Sequence, residues 1–338
     1  MALVVIPCLN EAAHLDELLS LVRRDLAATL IVVADGGSTD GSQAIVARHS
    51  QDDMRVLQLD NPAKIQSAGV NLAVSKFQAC SDWLVRMDAH CGYPEQFVSK
   101  LLAAQAAAAA DSVVVPMVTV GRGGFQDGVA AAQNSKLGTG GSAHRHVGQS
   151  QFVDHGHHAL MSIAQFKAVG GYCEEMVCNE DAELDHRLGL NGARIWLETS
   201  IPLTYYPRTT AIALWRQYFR YGKGRARNVR RHRLKLKPRQ LMPVGVALAV
   251  PMALLAPFHP IFVVPLMTWL FACAIGGLWI GAKSGGGWHY AAGLAAGIMH
   301  LSWGFGFLHE FLTQPRGVAP RLAFPPVSDA LTGLGAPQ

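Results

Sequence analysis

Leu30-Ile31-Val32-Val33-Ala34-Asp35-Gly36-Gly37-Ser38-Thr39-Asp40-Gly41-Ser42 is the stretch that decides the fold. Its apolar, β-branched start reads as a buried strand. The run ends on a carboxylate, and residues 38–42 then supply turn and cap chemistry for a helix over residues 43–49. The same order precedes it. Val4-Val5-Ile6 is a short strand, and the next segment sets Leu15, Leu18, Leu19 and Val22 on one helical face, with Asn10 as the expected N-cap. Further strands are predicted at residues 55–59, 83–87 and 112–120. This alternation predicts an α/β fold, a Rossmann-like and mostly parallel sheet covered by helices. In open α/β sheets ligands bind beyond the carboxyl ends of the strands. Asn10, Asp35 and Asp88 each follow an apolar run at such an end, so one site collecting them is expected.

Composition changes sharply along the 338 residues. The 50% hydrophobic content is high for a purely soluble enzyme, and the excess is local: residues 241–282 and 284–309 contain no Asp, Glu, Lys or Arg. Candidate membrane spans follow at 241–258, 261–281 and 290–309. The first is short and holds Pro243, Pro251 and Pro257, which fits a kinked or re-entrant element. Three full spans put the tail outside, whereas a re-entrant first segment returns it to the cytoplasm. Residues 216–239 carry eleven Lys and Arg and no acid, leaving 18 basic against 24 acidic residues elsewhere. A basic segment beside spans is expected to place the N-terminal domain on the cytoplasmic face of the membrane. Composition alone also permits a nucleic-acid patch. Adjacency to the spans favours anionic membrane lipids, and no nucleic-acid partner is expected. Met1 runs directly into a strand without a basic flank, so no signal peptide is expected.

The expected organisation is a catalytic domain over 1–210, a basic amphipathic interface segment over 211–240, two or three transmembrane helices over 241–310, and a tail over 311–338. Residues 121–148, rich in Gly and Ser, read as a mobile loop. That run lacks the Gly-Lys-Ser/Thr ending of a phosphate loop. The six cysteines are scattered without a Cys-x-x-Cys pair, which fits reduced thiols. A zinc site from Cys173, Cys178 and the His155, His157, His158 cluster lacks finger spacing.

The chemistry concentrates in five motifs: Pro7-Cys8-Leu9-Asn10-Glu11, Asp35-Gly36-Gly37-Ser38, Arg86-Met87-Asp88-Ala89-His90, Asn179-Glu180-Asp181-Ala182-Glu183-Leu184-Asp185, and Gln217-Tyr218-Phe219-Arg220-Tyr221. In this order the chain resembles an inverting family 2 glycosyltransferase of the GT-A fold over roughly residues 2–240. Its Asp-Ala-His and Asn-Glu-Asp-Ala-Glu-Leu-Asp forms are similar to those of bacterial succinoglycan-type exopolysaccharide glucosyltransferases. The resemblance implies that Asp35 accepts the imide N–H of uracil while Pro7, Asn10 and Glu11 line the nucleoside pocket. Gly36 stands where many relatives carry a second Asp. It further implies a divalent metal, Mn²⁺ or Mg²⁺, held by Asp88 and His90, the imidazole suiting Mn²⁺ better. Asp181 is then the general base, and Glu180 orients it or meets the acceptor. Gln217-x-x-Arg220-Tyr221 resembles the family's Gln-x-x-Arg-Trp motif, with Arg220 toward the diphosphate and Tyr221 and Trp215 available to stack on a sugar.

The implied reaction moves a sugar, with glucose foremost, from a UDP-sugar to a polyprenyl-diphosphate-linked saccharide. Rival readings are a polyprenyl-phosphate sugar synthase, a processive polysaccharide synthase, and a non-catalytic membrane scaffold or basic nucleic-acid-binding protein. Simpler roles compete residue by residue. Asp40 fits a turn cap, His90 a strand cap, and Asp181 a carboxylate on a helix N-terminus. Glu183, Asp185 and Arg187 read as a solvated face with local ion pairs. The segment around Gln217 to Tyr221 also suits membrane anchoring. His144, Arg145, Asp154 and the run His155-Gly156-His157-His158 are expected to border the acceptor side without individual roles.

Overall fold

A computed structural model describes residues 1–141, 148–176, 178–314 and 322–324, which divide into two compact units. The first comprises 1–117, 147–204 and 320–338, and the second 118–146 and 205–319.

In the first unit β1 (Ala2–Cys8), β2 (Ala28–Asp35), β3 (Val56–Asp60) and β4 (Trp83–Arg86) are parallel neighbours. The sheet continues through β5 (Ser112–Val115), β6 (Gln151–Phe152), β7 (His157–Ser162) and β8 (Ile195–Leu197) in the spatial order β3-β2-β1-β4-β7-β5-β8-β6. From β1 the chain winds outward to β3, then returns to lay β4 on the other side of β1. That reversal is the switch point at which open α/β sheets form their binding crevice. β7 runs antiparallel to β4 with Trp83 opposite Ser162 and Val85 opposite Leu160. Beyond the end of β4, Asp88 approaches His157 at the start of β7, with His157 Nε2 3.8 Å from Asp88 Oδ2.

The expected helix after β1 is α1 (Ala12–Arg23), and Leu15, Leu18, Leu19 and Val22 are its buried face. It is followed by α2 (Ser42–Asp52), α3 (Gln66–Phe77) and α4 (Phe97–Ala108). The strand expected over 112–120 breaks at Pro116, which offers no ladder N–H, and resumes over Met117–Thr119. α5 (Phe125–Gln133) and α6 (Lys136–Thr139) belong to the second unit, and α7 (Ile163–Ala168) and α8 (Glu180–Leu190) complete the first. Its main core joins Leu3, Val5, Val32, Leu84, Phe166, Tyr172, Leu184 and Leu188. The described tail residues return to this unit, where Ala323 donates to the Gly170 carbonyl and Phe324 meets Phe166 edge-on.

The charged face of α8 differs from expectation. Glu183, Asp185 and Arg187 are buried, because Arg187 grips both Glu183 oxygens (2.9 and 2.6 Å) and the Val169 carbonyl, while Asp185 accepts from His155 Nδ1 (2.7 Å) and the Gly156 amide (3.2 Å). Each charge is satisfied inside the fold, the condition under which burial is tolerated.

The second unit is helical: α5 (Phe125–Gln133), α6 (Lys136–Thr139), α9 (Ala211–Arg231), α10 (Pro238–Ala253), α11 (Val264–Lys283) and α12 (Ala292–Thr313). Residues 121–148 are therefore not one loop. Val129 and Ala132 pack with Ile280, Ala292, Ala295 and Met299, and a Cβ at Gly128 would lie 2.7 Å from that of Ala291. Glycine here permits close helix approach as well as turning, and that tertiary burial is invisible to local composition. Residues 142–147, with His144 and Arg145, lie outside the described residues. Among the described residues two helices are long and apolar enough to cross a membrane, Pro260–Lys283 and Gly287–Thr313. α10 holds Pro243 and Pro251 within 16 residues.

Candidate active site

The loops after β1 and β2 hold each other. The Asn10 amide donates to Ser38 Oγ (2.8 Å), Glu11 N to Ser42 Oγ (3.0 Å) and Ala12 N to Asp40 Oδ2 (2.9 Å), while Thr39 N donates to Asn10 Oδ1 (2.8 Å). Asn10 itself is left-handed (φ 58) and is not the N-cap of α1. Asp40 and Ser42 satisfy the orphan donors of α1 from across the crevice, so Asp40 is a cap, supplied by the neighbouring loop. Asp35 is buried, and its carboxylate accepts from Gly37 N (3.0 Å), Ser38 N (3.1 Å), Ser38 Oγ (2.5 Å) and Gln43 Nε2 (2.7 Å). Burial pushes this carboxyl up, but hydrogen bonds from Ser38, Gln43 and Gly37 outweigh it and hold it below the usual range. These bonds order the turn that follows β2.

Arg86, the last residue of β4, organises the crevice. Its side chain is 3% exposed and meets three carboxylates: Asp88 Oδ1 (Nε, 3.2 Å), Asp181 Oδ1 (Nη1, 2.7 Å) and Glu180 Oε1 (Nη2, 3.4 Å). Nη1 also donates to Tyr172 Oη (3.0 Å), which in turn donates to Asp181 Oδ1 (2.9 Å). Burial disfavours the guanidinium charge, but Asp181 and Asp88 more than compensate and raise its pKa. Sequence reasoning missed Arg86 and Tyr172. The available signal was a charge ending an otherwise apolar strand, two residues from Asp88 and hence on the same face.

Asp88 is pinned through Oδ1 by Gln66 Nε2 (2.7 Å) as well as Arg86, and its amide donates to Tyr93 Oη (2.6 Å). Burial raises its carboxyl, but Arg86, then His157 and His90, prevail and lower it to about 2. His157 stands between two acids, with Nε2 3.8 Å from Asp88 Oδ2 and Nδ1 3.7 Å from Asp181 Oδ2. His90 is half-exposed and pairs through Nδ1 with Glu11 Oε1 (3.2 Å). Glu180 contrasts with Asp88: burial and then the adjacent Asp181 charge push its carboxyl up to about 7. Glu180 and Asp181 both lie in the first turn of α8, where the helix dipole favours negative charge.

The first unit therefore gathers Asn10, Glu11, Asp88, His90, Glu180 and Asp181 around one crevice. Gln217, Arg220 and Tyr221 lie on α9 in the second unit, where Gln217 Nε2 donates to Tyr205 Oη (2.7 Å) and Tyr221 Oη (3.0 Å). Among the described residues no three His, Cys, Asp or Glu side chains are arranged to hold a metal alone. The donor set instead suits a site completed by a ligand. Asp88 has both Arg86 and Gln66 on Oδ1, which leaves Oδ2 as a hard oxygen donor beside the imidazoles.

The site is thus a set of buried carboxylates around an arginine at the switch point of an open α/β sheet. The family description "Glycosyl transferase family 2" matches residues 3–169. The chain is 48% identical over 320 residues, 94% of its length and 97% of the relative's, to "Succinoglycan biosynthesis protein ExoA" of Rhizobium meliloti (strain 1021). It belongs to glycosyltransferase family 2. Among solved structures, the mannosyltransferase PcManGT of Pyrobaculum calidifontis, in complex with GDP-Man and Mn²⁺, superposes with a TM-score of 0.55. That alignment covers 93% of this chain and 88% of that one at 15% identity, so the likeness is one of fold.

Proposed function

We propose that this glycosyltransferase inverts the anomeric centre of a UDP-sugar, with UDP-glucose the first donor to test, and delivers the sugar to a hydroxyl of a polyprenyl-diphosphate-linked saccharide. The relative's name places that relative in succinoglycan biosynthesis, and exopolysaccharide assembly is the setting adopted for this chain. The observation that carries the reading is the Arg86 cluster, which brings the acids of two distant motifs, Asp88 and the Glu180–Asp181 pair, to one guanidinium.

The acceptor oxygen attacks the anomeric carbon as the bond to the diphosphate oxygen breaks; UDP leaves with the electron pair and a carboxylate takes the acceptor proton. Asp181 is the proposed base, since Arg86 and Tyr172 fix Oδ1 and leave Oδ2 toward the crevice. Glu180 is a second reading for the base: it shares the Arg86 guanidinium with Asp181, and burial pushes its carboxyl up to about 7, a range suited to proton transfer at neutral pH. Asp88, with His90, is proposed to hold a divalent cation, Mn²⁺ or Mg²⁺, which when bound neutralises the leaving diphosphate. Pro7, Asn10 and Glu11 are proposed to line the nucleoside pocket, in which Asp35 accepts the imide N–H of the uracil ring. Arg220 and Tyr221 are assigned to the diphosphate and acceptor.

UDP release by purified membranes, with and without EDTA, tests the reading. Transfer is expected to stop in EDTA and in Asp88→Asn, which loses one ligand charge. Full activity in either case removes Asp88 and the metal from the account.

A further inference from the structure

The second unit contains a cleft of about 760 Å³ unrelated to the carboxylate cluster. One wall is the last two turns of α11, which contributes Gly276, Trp279, Ile280 and Lys283 at helical spacing; the facing wall comes from α5 and α6, with Asp127 and Lys136. Its floor is apolar, built on Ile280, Leu137 and the α5 alanines Ala130 and Ala131. Its charges lie at the rim. The Lys283 ammonium sits over the Trp279 ring (4.0 Å from the centroid), and neither Lys283 nor Lys136 has a carboxylate partner among the described residues. Asp127 is occupied in part by the Gly123 amide (3.0 Å). A tryptophan and lysine at the polar end of an apolar helix form the pairing found at the headgroup level of a bilayer. The rest of α11 faces outward, with only 11% of its most apolar window buried.

We propose that this cleft binds the phosphodiester head of one anionic phospholipid drawn from the surrounding leaflet. Two lysines against one aspartate leave a net charge near +1, which matches a singly charged phosphodiester better than a diphosphate. The apolar floor accepts the first part of an acyl chain. The inference rests on α11 being inserted in the membrane and is independent of the sugar-transfer reading.

Native mass spectrometry of the full chain tests it, with phosphatidylglycerol, phosphatidylcholine and a polyprenyl diphosphate as probes. The wild type is expected to retain phosphatidylglycerol over phosphatidylcholine, and the double change Lys136→Gln/Lys283→Gln to lower that retention about tenfold. Lys136→Arg/Lys283→Arg is expected to keep it, as is the charge-matched pair Lys76→Gln/Lys100→Gln on the first unit. Equal loss in either control, unchanged retention in the double variant, or preference for polyprenyl diphosphate overturns the assignment. Release of the chain from membranes by alkaline carbonate overturns the insertion on which it depends, even with sugar transfer intact.

Discussion

Arg86 and Glu180 show how one guanidinium is shared unequally among three acids. Asp88 and Asp181 receive short contacts from it, whereas Glu180 receives only one at 3.4 Å. Glu180 therefore carries most of the unrelieved desolvation, and its carboxyl rises from 4.5 to about 7. A raised carboxyl means that the folded state holds the proton more tightly than the unfolded chain. Its stabilising contribution is complete below pH 4.5 and is lost as pH rises through about 7. Glu180→Gln should accordingly raise Tm at pH 8 relative to wild type and lose that advantage by pH 4, read by thermal unfolding at both values. A constant Tm difference across this range would show that Glu180 does not titrate as the geometry requires. The acids themselves were legible in the sequence because each follows a strand or opens a helix. Arg86 was not, because an arginine at a strand end gains its meaning only when α8, about 95 residues later, brings its acids there.

Among the elements, α9 and α12 depend on one another most visibly. α9 is basic, and near the end of α12 lies Glu310, fully buried and paired with Arg227 and with Lys223 (3.3 Å). Close approach at Gly222 and Gly306, where a Cβ would meet partner backbone at 2.0 and 2.1 Å, lets the two helices reach this pairing. Removing the acid leaves two cations that are 29% and 35% exposed and so partly solvated, which holds the cost to about 1–3 kcal/mol. Glu310→Ala should lower Tm by several degrees, whereas joint removal with Arg227→Leu should recover part of the loss. Identical losses in the single and double variants would mean that the pair is not coupled. Local patterning revealed α1 through its apolar stripe but misjudged α8, because the buried face of α8 is formed by charges that neutralise one another. It also missed α5, whose glycine and alanines matter only once α11 and α12 cover them.

At the scale of the whole molecule, composition treated α12 like a span, yet 56% of its most apolar window is buried inside the second unit, against 11% for α11. Hydropathy cannot distinguish burial in protein from burial in lipid. We propose that α10, whose 16 residues fall short of a full span, enters the membrane together with α11: Lys235 and Lys237 precede α10, Lys283 closes α11, and the intervening turn carries exposed Leu254 and Phe258. On this proposal the chain returns to its starting side after α11. Single cysteines at Ser42, Gln149 and Ala323 should resist an impermeant thiol reagent in intact cells, while one at His259 should react. Ready labelling at Ser42 would reverse the orientation and separate the crevice from cytoplasmic UDP-sugars.

The central claim is that the crevice around Arg86 performs base-assisted sugar transfer, and Asp181→Asn tests it most directly. The change keeps size and polarity but cannot accept the acceptor's proton. UDP-sugar affinity by calorimetry and transfer to the lipid-linked acceptor are measured in one preparation. The account predicts nearly unchanged donor affinity and turnover lowered roughly 10²–10⁴-fold. Transfer at the wild-type rate would contradict it, placing the base elsewhere or making the acceptor a phosphate that needs none.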